Sequence, residues 1–331
     1  MPESSFVVIT TIQSPTDAVR KLVSMLDDWT VLVVGDRKTP PTWDLDGATY
    51  LDIDDQHESA PLLSPRLKLD HYCRKNVGYL KAINSGAPCI AETDDDNFPK
   101  DTFLADVESE VNGSIVQSPG WINVYRLFST EEIWPRGFPL ELIRESFTQK
   151  YLLEPGSSNC LIQQYLADGD PDVDAIFRLL RPEGTQFVGD DIILPPGAFC
   201  PFNSQNTVWW PDAYPLMYLP SYVAFRMTDI WRSLIAQRCL HAAGQSMAFR
   251  SSTVDQIRNE HSLLDDFEDE ISGYLGNRRI VESLNALELS EDLSESGPNM
   301  RMCYIKLVSD GFIPDEEMLL VDSWLESIDQ S

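Results

Sequence analysis

The sequence predicts an α/β fold: a Rossmann-like, mostly parallel sheet flanked by helices, followed by a helical C-terminal region. Three observations carry this. Phe6-Val-Val-Ile-Thr-Thr-Ile12 is short and β-branched, and Trp29-Thr-Val-Leu-Val-Val34 repeats that character after a stretch with helical apolar spacing. Strand, helix and strand within about thirty residues is the dimension of a βαβ unit. A third apolar run, Cys89-Ile-Ala91, carries almost directly into Asp94, Asp95 and Asp96. A buried strand cannot hold three carboxylates, so these acids mark the point where the chain leaves the sheet.

The elements follow in order. Ser14-Pro15-Thr16-Asp17 supplies a cap, a proline at the first helical position and an acid in the first turn, opening a helix to about Leu26. Residues 48–53 read as a short edge strand and 54–66 as a loop with two prolines. A helix opens at Arg74-Lys75-Asn76 and closes at Gly86. After the acidic triplet, residues 99–111 read as a helix and 114–117 as a strand. Residues 121–139, aromatic and broken by Pro and Gly, read as a structured loop, with 160–164 as its pairing partner. A short helix follows Pro171, and a long one runs from Thr228 through Ala242. Beyond Arg232 no buried strand is evident. Helical spacing recurs over 256–287 and 315–328, and 290–298 reads as an acidic, Ser-rich linker.

Bulk properties narrow the function. A chain of 331 residues, 43% hydrophobic and 24% charged, has the composition of a soluble globule. Its formal net charge of −28 argues against nucleic-acid binding, which needs phosphate-neutralising Lys and Arg, and against an anionic membrane surface. The six cysteines form no CxxC pair and mostly sit beside apolar residues, which points to reduced core thiols. His57, His71, His241 and His261 are scattered without zinc spacing. No signal-length or membrane-length apolar run is present, and a cytoplasmic location is expected.

The acidic triplet carries the chemistry. If the backbone stays extended, Asp94 and Asp96 point to one side, and a hard divalent cation relieves their repulsion. Such a site at a strand's carboxyl end suits Mg²⁺ or Mn²⁺ gripping a phosphorylated ligand; a solvated acidic turn is the other reading. Arg74, Lys75 and Asn76 at a helix N-terminus suggest a phosphate grip, or a basic surface turn. Asp36, after the second strand, suits a base or ribose, or simply a turn. Asn203, Gln205 and Asn206, set between aromatic residues, fit a sugar-binding wall. Asp229 reads as a carboxylate base or a helix N-terminal acid, with Asp190 and Asp191 the weaker candidates for the base. GxGxxG and GxxxxGK[ST] are absent.

Taken together, Val7-Val-Ile-Thr-Thr-Ile12, Val33-Val-Gly-Asp-Arg-Lys-Thr-Pro40, Arg74-Lys-Asn-Val-Gly-Tyr-Leu80, Glu92-Thr-Asp-Asp-Asp-Asn97 and Trp134-Pro-Arg-Gly-Phe-Pro-Leu140 resemble the STELLO family of glycosyltransferases. So do Pro171-Asp-Val-Asp-Ala-Ile-Phe-Arg-Leu179, Pro201-Phe-Asn-Ser-Gln-Asn-Thr207 and Thr228-Asp-Ile-Trp-Arg-Ser233, in the same order along the chain. That family is similar in turn to the reversibly glycosylated polypeptides, which include UDP-arabinopyranose mutases. The resemblance implies a GT-A fold whose DxD motif binds a divalent metal and a nucleotide-sugar diphosphate. By position, Asp94 and Asp96 would be the metal acids. Thr10, Thr11 and Asp36 would face the nucleoside, and Arg74, Lys75 and Asn76 the diphosphate side, with Asp95 also binding the nucleotide-sugar. Asn203, Gln205, Asn206 and Arg232 would meet sugar or acceptor, and Asp229 or Asp191 would be catalytic. The expected function is Mn²⁺- or Mg²⁺-dependent transfer from a UDP-sugar to a hydroxyl acceptor on a glycan, lipid or protein. A UDP-sugar mutase or a non-catalytic nucleotide-binding scaffold is the alternative. Residues 1–232 would bind donor and acceptor, and 233–331 would form the helical region. The plant members carry an N-terminal membrane anchor, sit in the Golgi and associate with cellulose synthase. This sequence opens just before its first strand, so neither that location nor that partner is expected to carry over.

Overall fold

Runs of Val, Ile and Leu that alternate with helical stretches close into one sheet in the computed structural model, which describes residues 4–105, 107–181, 184–257 and 262–329. The elements are β1 (Ser5–Thr10), α1 (Asp17–Met25), β2 (Trp29–Val34), β3 (Ala48–Leu51), α2 (Ile53–Ser59), α3 (Lys75–Asn84), β4 (Ile90–Thr93), β5 (Asn97–Pro99), β6 (Glu110–Val116) and β7 (Gly120–Trp121). They continue as α4 (Tyr125–Phe128), α5 (Ile143–Thr148), β8 (Leu153–Gly169), α6 (Ala175–Leu180), β9 (Ile192–Leu194), β10 (Ala198–Phe199) and β11 (Asn206–Trp209). The last are α7 (Thr228–Ala242), β12 (Ser246–Gln256), α8 (Leu263–Asn285), α9 (Ser296–Ser309) and α10 (Glu317–Asp329).

The main sheet has ten strands in the order β3-β2-β1-β4-β11-β8-β6-β9-β12-β5. Its first four strands pair in parallel, Val7 opposite Val31 and Ala91. Beyond β4 the pairing is mixed: β11 runs antiparallel to both β4 and β8, and β12 runs parallel to β8. The α/β class therefore stands, but the sheet is mixed rather than mostly parallel, with continuous parallel pairing only from β3 to β4. Parallel strands are covered on both faces, which is why β1 and β2 are near-continuous apolar runs. One face packs on Val19, Leu22 and Phe103, the other on Val77, Leu80 and the helices that follow.

Several elements differ from the sequence reading. Residues 54–66 are not all loop, because Asp52 and Asp55 form a reciprocal capping box that starts α2. Residues 99–111 are not a helix: Asn97–Pro99 pairs with β12, and the chain then turns, with Leu104 at φ +54°. Residues 160–164 lie inside the long β8 and pair with β11, not with the 121–139 loop. The absence of a strand beyond Arg232 is overturned by β12, which contacts β8, β9 and β5. The boundary drawn after residue 232 falls inside α7. Residues 290–298 lead directly into α9. The helices at 17–25, 75–84 and 228–242 match their sequence signals, and Gly86 adopts the left-handed φ of +72° that a helix terminus uses. All six cysteines are free and buried. His261 lies outside the described residues. Among the described residues no helix is long and apolar enough to cross a membrane.

Candidate functional site

The carboxyl ends of β1, β2 and β4 open into a cleft of about 480 Å³. Open α/β sheets place ligands there, where strand ends leave backbone groups and short loops facing a crevice. Thr10, Thr11 and Asp36 line one side, and Asp94, Asp95 and Asp96 the floor. The far wall is made by Arg136, Asp172, Ser204, Gln205 and Asp229, with Tyr72 and Phe225 nearby. The charge balance is lopsided: seven aspartates line the cleft against four basic side chains, Lys38, Arg74, Arg136 and Arg226.

The residues expected to face a nucleoside are locked by short bonds. The Thr11 backbone N–H continues the β1–β2 ladder to Val34 O at 3.1 Å, and its hydroxyl donates to Asp95 Oδ2 at 2.5 Å. Thr39 Oγ1 donates to Thr11 O at 2.7 Å and accepts from the Asp36 N–H at 2.7 Å. Asp36 accepts from the Arg37 N–H at 2.7 Å and from the His71 N–H at 3.1 Å, so it ties the β2 loop to the segment before α3. Burial pushes the Asp95 carboxyl upward, against its hydrogen bond from Thr11. Burial also lowers the His71 imidazole to about 4, so it is neutral near pH 7.

The acidic triplet does not stay extended. The chain turns after β4, with the Asn97 N–H donating to Asp94 O at 3.3 Å, yet all three carboxylates still line the cleft. Beneath them lies a buried ionic cluster on β4. Glu92 accepts from Arg232 Nη1 and Nη2 at 3.0 and 2.8 Å, from Trp209 Nε1 at 2.9 Å, and from the Tyr79 hydroxyl. Arg232 is thereby committed to the fold beneath the acids and is not a cleft-lining residue.

The expected phosphate grip is not what this geometry supplies. Arg74 borders the cleft, but its guanidinium donates to Gln56 Oε1 at 2.7 Å and Ser64 Oγ at 2.9 Å. Asn76 exchanges two hydrogen bonds with the Leu219 backbone, both at 2.8 Å. Lys75 is fully buried and donates to Thr93 O, Asp94 Oδ1 and Ser204 O at 2.9, 2.9 and 3.2 Å. A buried cation must be paired, and these three side chains find their partners within the protein.

Across the cleft the unforeseen feature is Arg136. Its guanidinium is buried between two carboxylates: Nε and Nη2 donate to Asp172 at 2.8 and 2.9 Å, and Nη1 and Nη2 to Asp229 at 3.0 and 2.9 Å. Arg136 Nη1 also donates to Arg226 O. Burial alone would raise the Asp229 carboxyl, but the charge and hydrogen bonds of Arg136 outweigh it and hold Asp229 below the usual carboxylate range. Asp229 also accepts from the Tyr72 hydroxyl at 3.1 Å and the Ser204 N–H at 3.1 Å. Asn203 donates to Asp172 Oδ2 at 2.9 Å, Gln205 lines the cleft, and Asn206 donates to Leu166 O and Thr253 Oγ1 inside the sheet. Asp191 is outside this cleft: it pairs with Arg250 at 2.8 Å beside a separate depression. Arg136 and Asp172 belong to the Trp134 and Pro171 motifs, and that shared membership was the available signal for them.

Comparison with known proteins gives a consistent family. The family model described as STELLO glycosyltransferases matches residues 226–330. "Probable glycosyltransferase STELLO1" of Arabidopsis thaliana is 29% identical over 98% of this chain and 44% of its own length. "Probable glycosyltransferase STELLO2" of the same plant is 31% identical over 85% of this chain and 39% of its own length. The chain thus spans less than half the length of these curated relatives. Among solved structures, a mycobacterial protein gives a TM-score of 0.43 at 11% identity, covering 95% of this chain and 76% of that one. Glucosyl-3-phosphoglycerate synthase from Mycobacterium tuberculosis, in complex with Mg²⁺ and uridine-diphosphate, gives 0.39 at 12% identity, covering 95% and 81%.

Proposed function

We propose that this chain, which belongs to the STELLO family of glycosyltransferases, transfers a sugar from a nucleotide-sugar donor, a UDP-sugar, bound in the cleft above β1, β2 and β4. The observation that carries the proposal is the meeting, in one cleft, of Thr11 and Asp36 at the ends of β1 and β2 with the acidic turn after β4. Thr10, Thr11 and Asp36 take the nucleoside, and Asp95 holds Thr11 in place.

The excess of carboxylates over basic side chains would repel a diphosphate, so a cation has to intervene. Asp94 and Asp96 offer hard oxygen ligands from one turn, the donor type that suits Mg²⁺ or Mn²⁺. Among the described residues no group of three or more His, Cys, Asp or Glu forms a metal cage. Two carboxylates with the remaining positions left to phosphate oxygens and water is a usual Mg²⁺ arrangement. Bound there, such an ion would supply Lewis-acid stabilisation of the departing diphosphate.

The chain's own residues do the rest. Across the cleft from the acids, Asp172 and Asp229 fix the plane of Arg136 and offset its charge. Asp229 is a weak candidate for proton abstraction, because its pKa is held low and both oxygens already accept hydrogen bonds. Its role in this account is to hold Arg136. Gln205 faces the cleft as a sugar or acceptor contact.

The test is turnover. With Mn²⁺ or Mg²⁺ and a panel of UDP-sugars, the protein should release UDP as the sugar is transferred. Asp96→Asn should lower that rate about a hundredfold or more with an unchanged melting point. Wild-type rates in Asp96→Asn would remove the metal from the mechanism. An isomerised UDP-sugar with no free UDP would move the assignment to a mutase.

A further inference from the structure

Lys75 is a cation buried beneath the floor of the cleft. It stands at the first turn of α3 with no exposed side-chain surface, while the Asp94 side chain it pairs with is 38% exposed. Lys75 therefore approaches Asp94 from inside the protein, and the solvent-facing side of Asp94 looks into the cleft. The ammonium has three N–H donors, and three acceptors meet them: two main-chain carbonyls, Thr93 O and Ser204 O, and one carboxylate oxygen, Asp94 Oδ1. The only charged partner in that set is Asp94. The neighbouring buried acid, Glu92, is occupied by Arg232, Trp209 and Tyr79.

We infer that Lys75 divides Asp94 between the fold and the metal, leaving it one oxygen for a cation and keeping metal affinity low until a nucleotide diphosphate arrives. This rests on the reading above that Asp94 and Asp96 hold the metal. Two cations that share one carboxylate repel each other, so a divalent ion meets Lys75 as a competitor. A diphosphate restores the balance by adding negative charge and oxygen ligands on the open side. Lys75 is a positioning residue in this account and does not touch the donor.

Two measurements test it. The first is Mn²⁺ binding by calorimetry or electron paramagnetic resonance, with and without UDP, to wild type and to Lys75→Met. Removing the buried charge should tighten Mn²⁺ binding to nucleotide-free protein by about tenfold or more, and reduce the gain that UDP provides. Mn²⁺ binding by wild type with equal or weaker binding by folded Lys75→Met overturns the inference and leaves the metal reading intact. No Mn²⁺ binding by either protein, with or without UDP, overturns both. The second measurement is melting in chelator, where no metal contributes. Asp94→Asn strands a buried ammonium and should melt roughly 5–10 °C below wild type. Lys75→Met with Asp94→Asn together should recover most of the loss. Asp94→Asn that melts with wild type overturns the inference even if Lys75→Met does not fold.

Discussion

Arg136 shows what a single side chain does here and why it was hard to find. Its neighbours in sequence, Trp134-Pro135 and Gly137-Phe138, read as a structured loop, and nothing local gives the arginine a task. Its partners lie 36 and 93 residues further along the chain. Asp94 and Asp96, by contrast, were legible because the acids adjoin the strand that positions them. Removing one member of a buried ionic group costs more than the group contributes, since the rest are left uncompensated. Arg136→Met should destabilise the protein by about 3–5 kcal/mol near pH 7. The pH dependence follows from the sign of the Asp229 shift. A carboxyl lowered by folding contributes stability above its unfolded pKa, and that contribution is lost as pH falls through the folded value. Without Arg136, burial is unopposed and favours the protonated acid. The stability gap between wild type and Arg136→Met should therefore narrow as pH drops below about 4 in denaturant titrations. A gap that is constant across that range would show that Asp229 gains nothing from Arg136.

Among the elements, α3 sets the depth of the acidic turn. Gly78 lets it lie directly on β1 and β2: a Cβ at that position would fall 2.4 Å from Val8 Cγ1 and 2.9 Å from Val34 Cγ2. Strand residues buried under a helix have little room to withdraw, so Gly78→Ala forces the helix outward. The expected loss is about 1–3 kcal/mol in urea unfolding. Unchanged stability would mean that α3 does not rest on those strands. The helix itself was legible from Gly86 and the run before it. The element that was not legible is β12. Its sequence, Ser-Met-Ala-Phe-Arg-Ser-Ser-Thr-Val-Asp-Gln, interrupts apolar alternation with Arg250, Ser251 and Ser252. The pairing with β8 shifts register between Arg250 and Val254, so the period of two breaks where a sequence reading needs it. The supposed helix over 99–111 failed for a related reason, since its first residues pair with β12.

For the whole molecule, the net charge of −28 frames the problem the cleft has to solve. An anionic ligand is repelled at long range by such a chain and has to be captured by local cations. The parallel half of the sheet, with its crevice, was readable from three apolar runs and the acids after the last of them. Of the far wall, Asp229 and Gln205 were named from the sequence, but Arg136 and Asp172 were not, because they come from separate stretches that only the folded sheet brings together. The most direct test of the central claim is calorimetric titration of UDP into the purified protein with Mn²⁺ and with chelator. Binding should be saturable in Mn²⁺, little or none in chelator, and Asp96→Asn should lose the Mn²⁺-dependent part. UDP binding of equal strength in chelator, or no UDP binding in either condition, would contradict the claim.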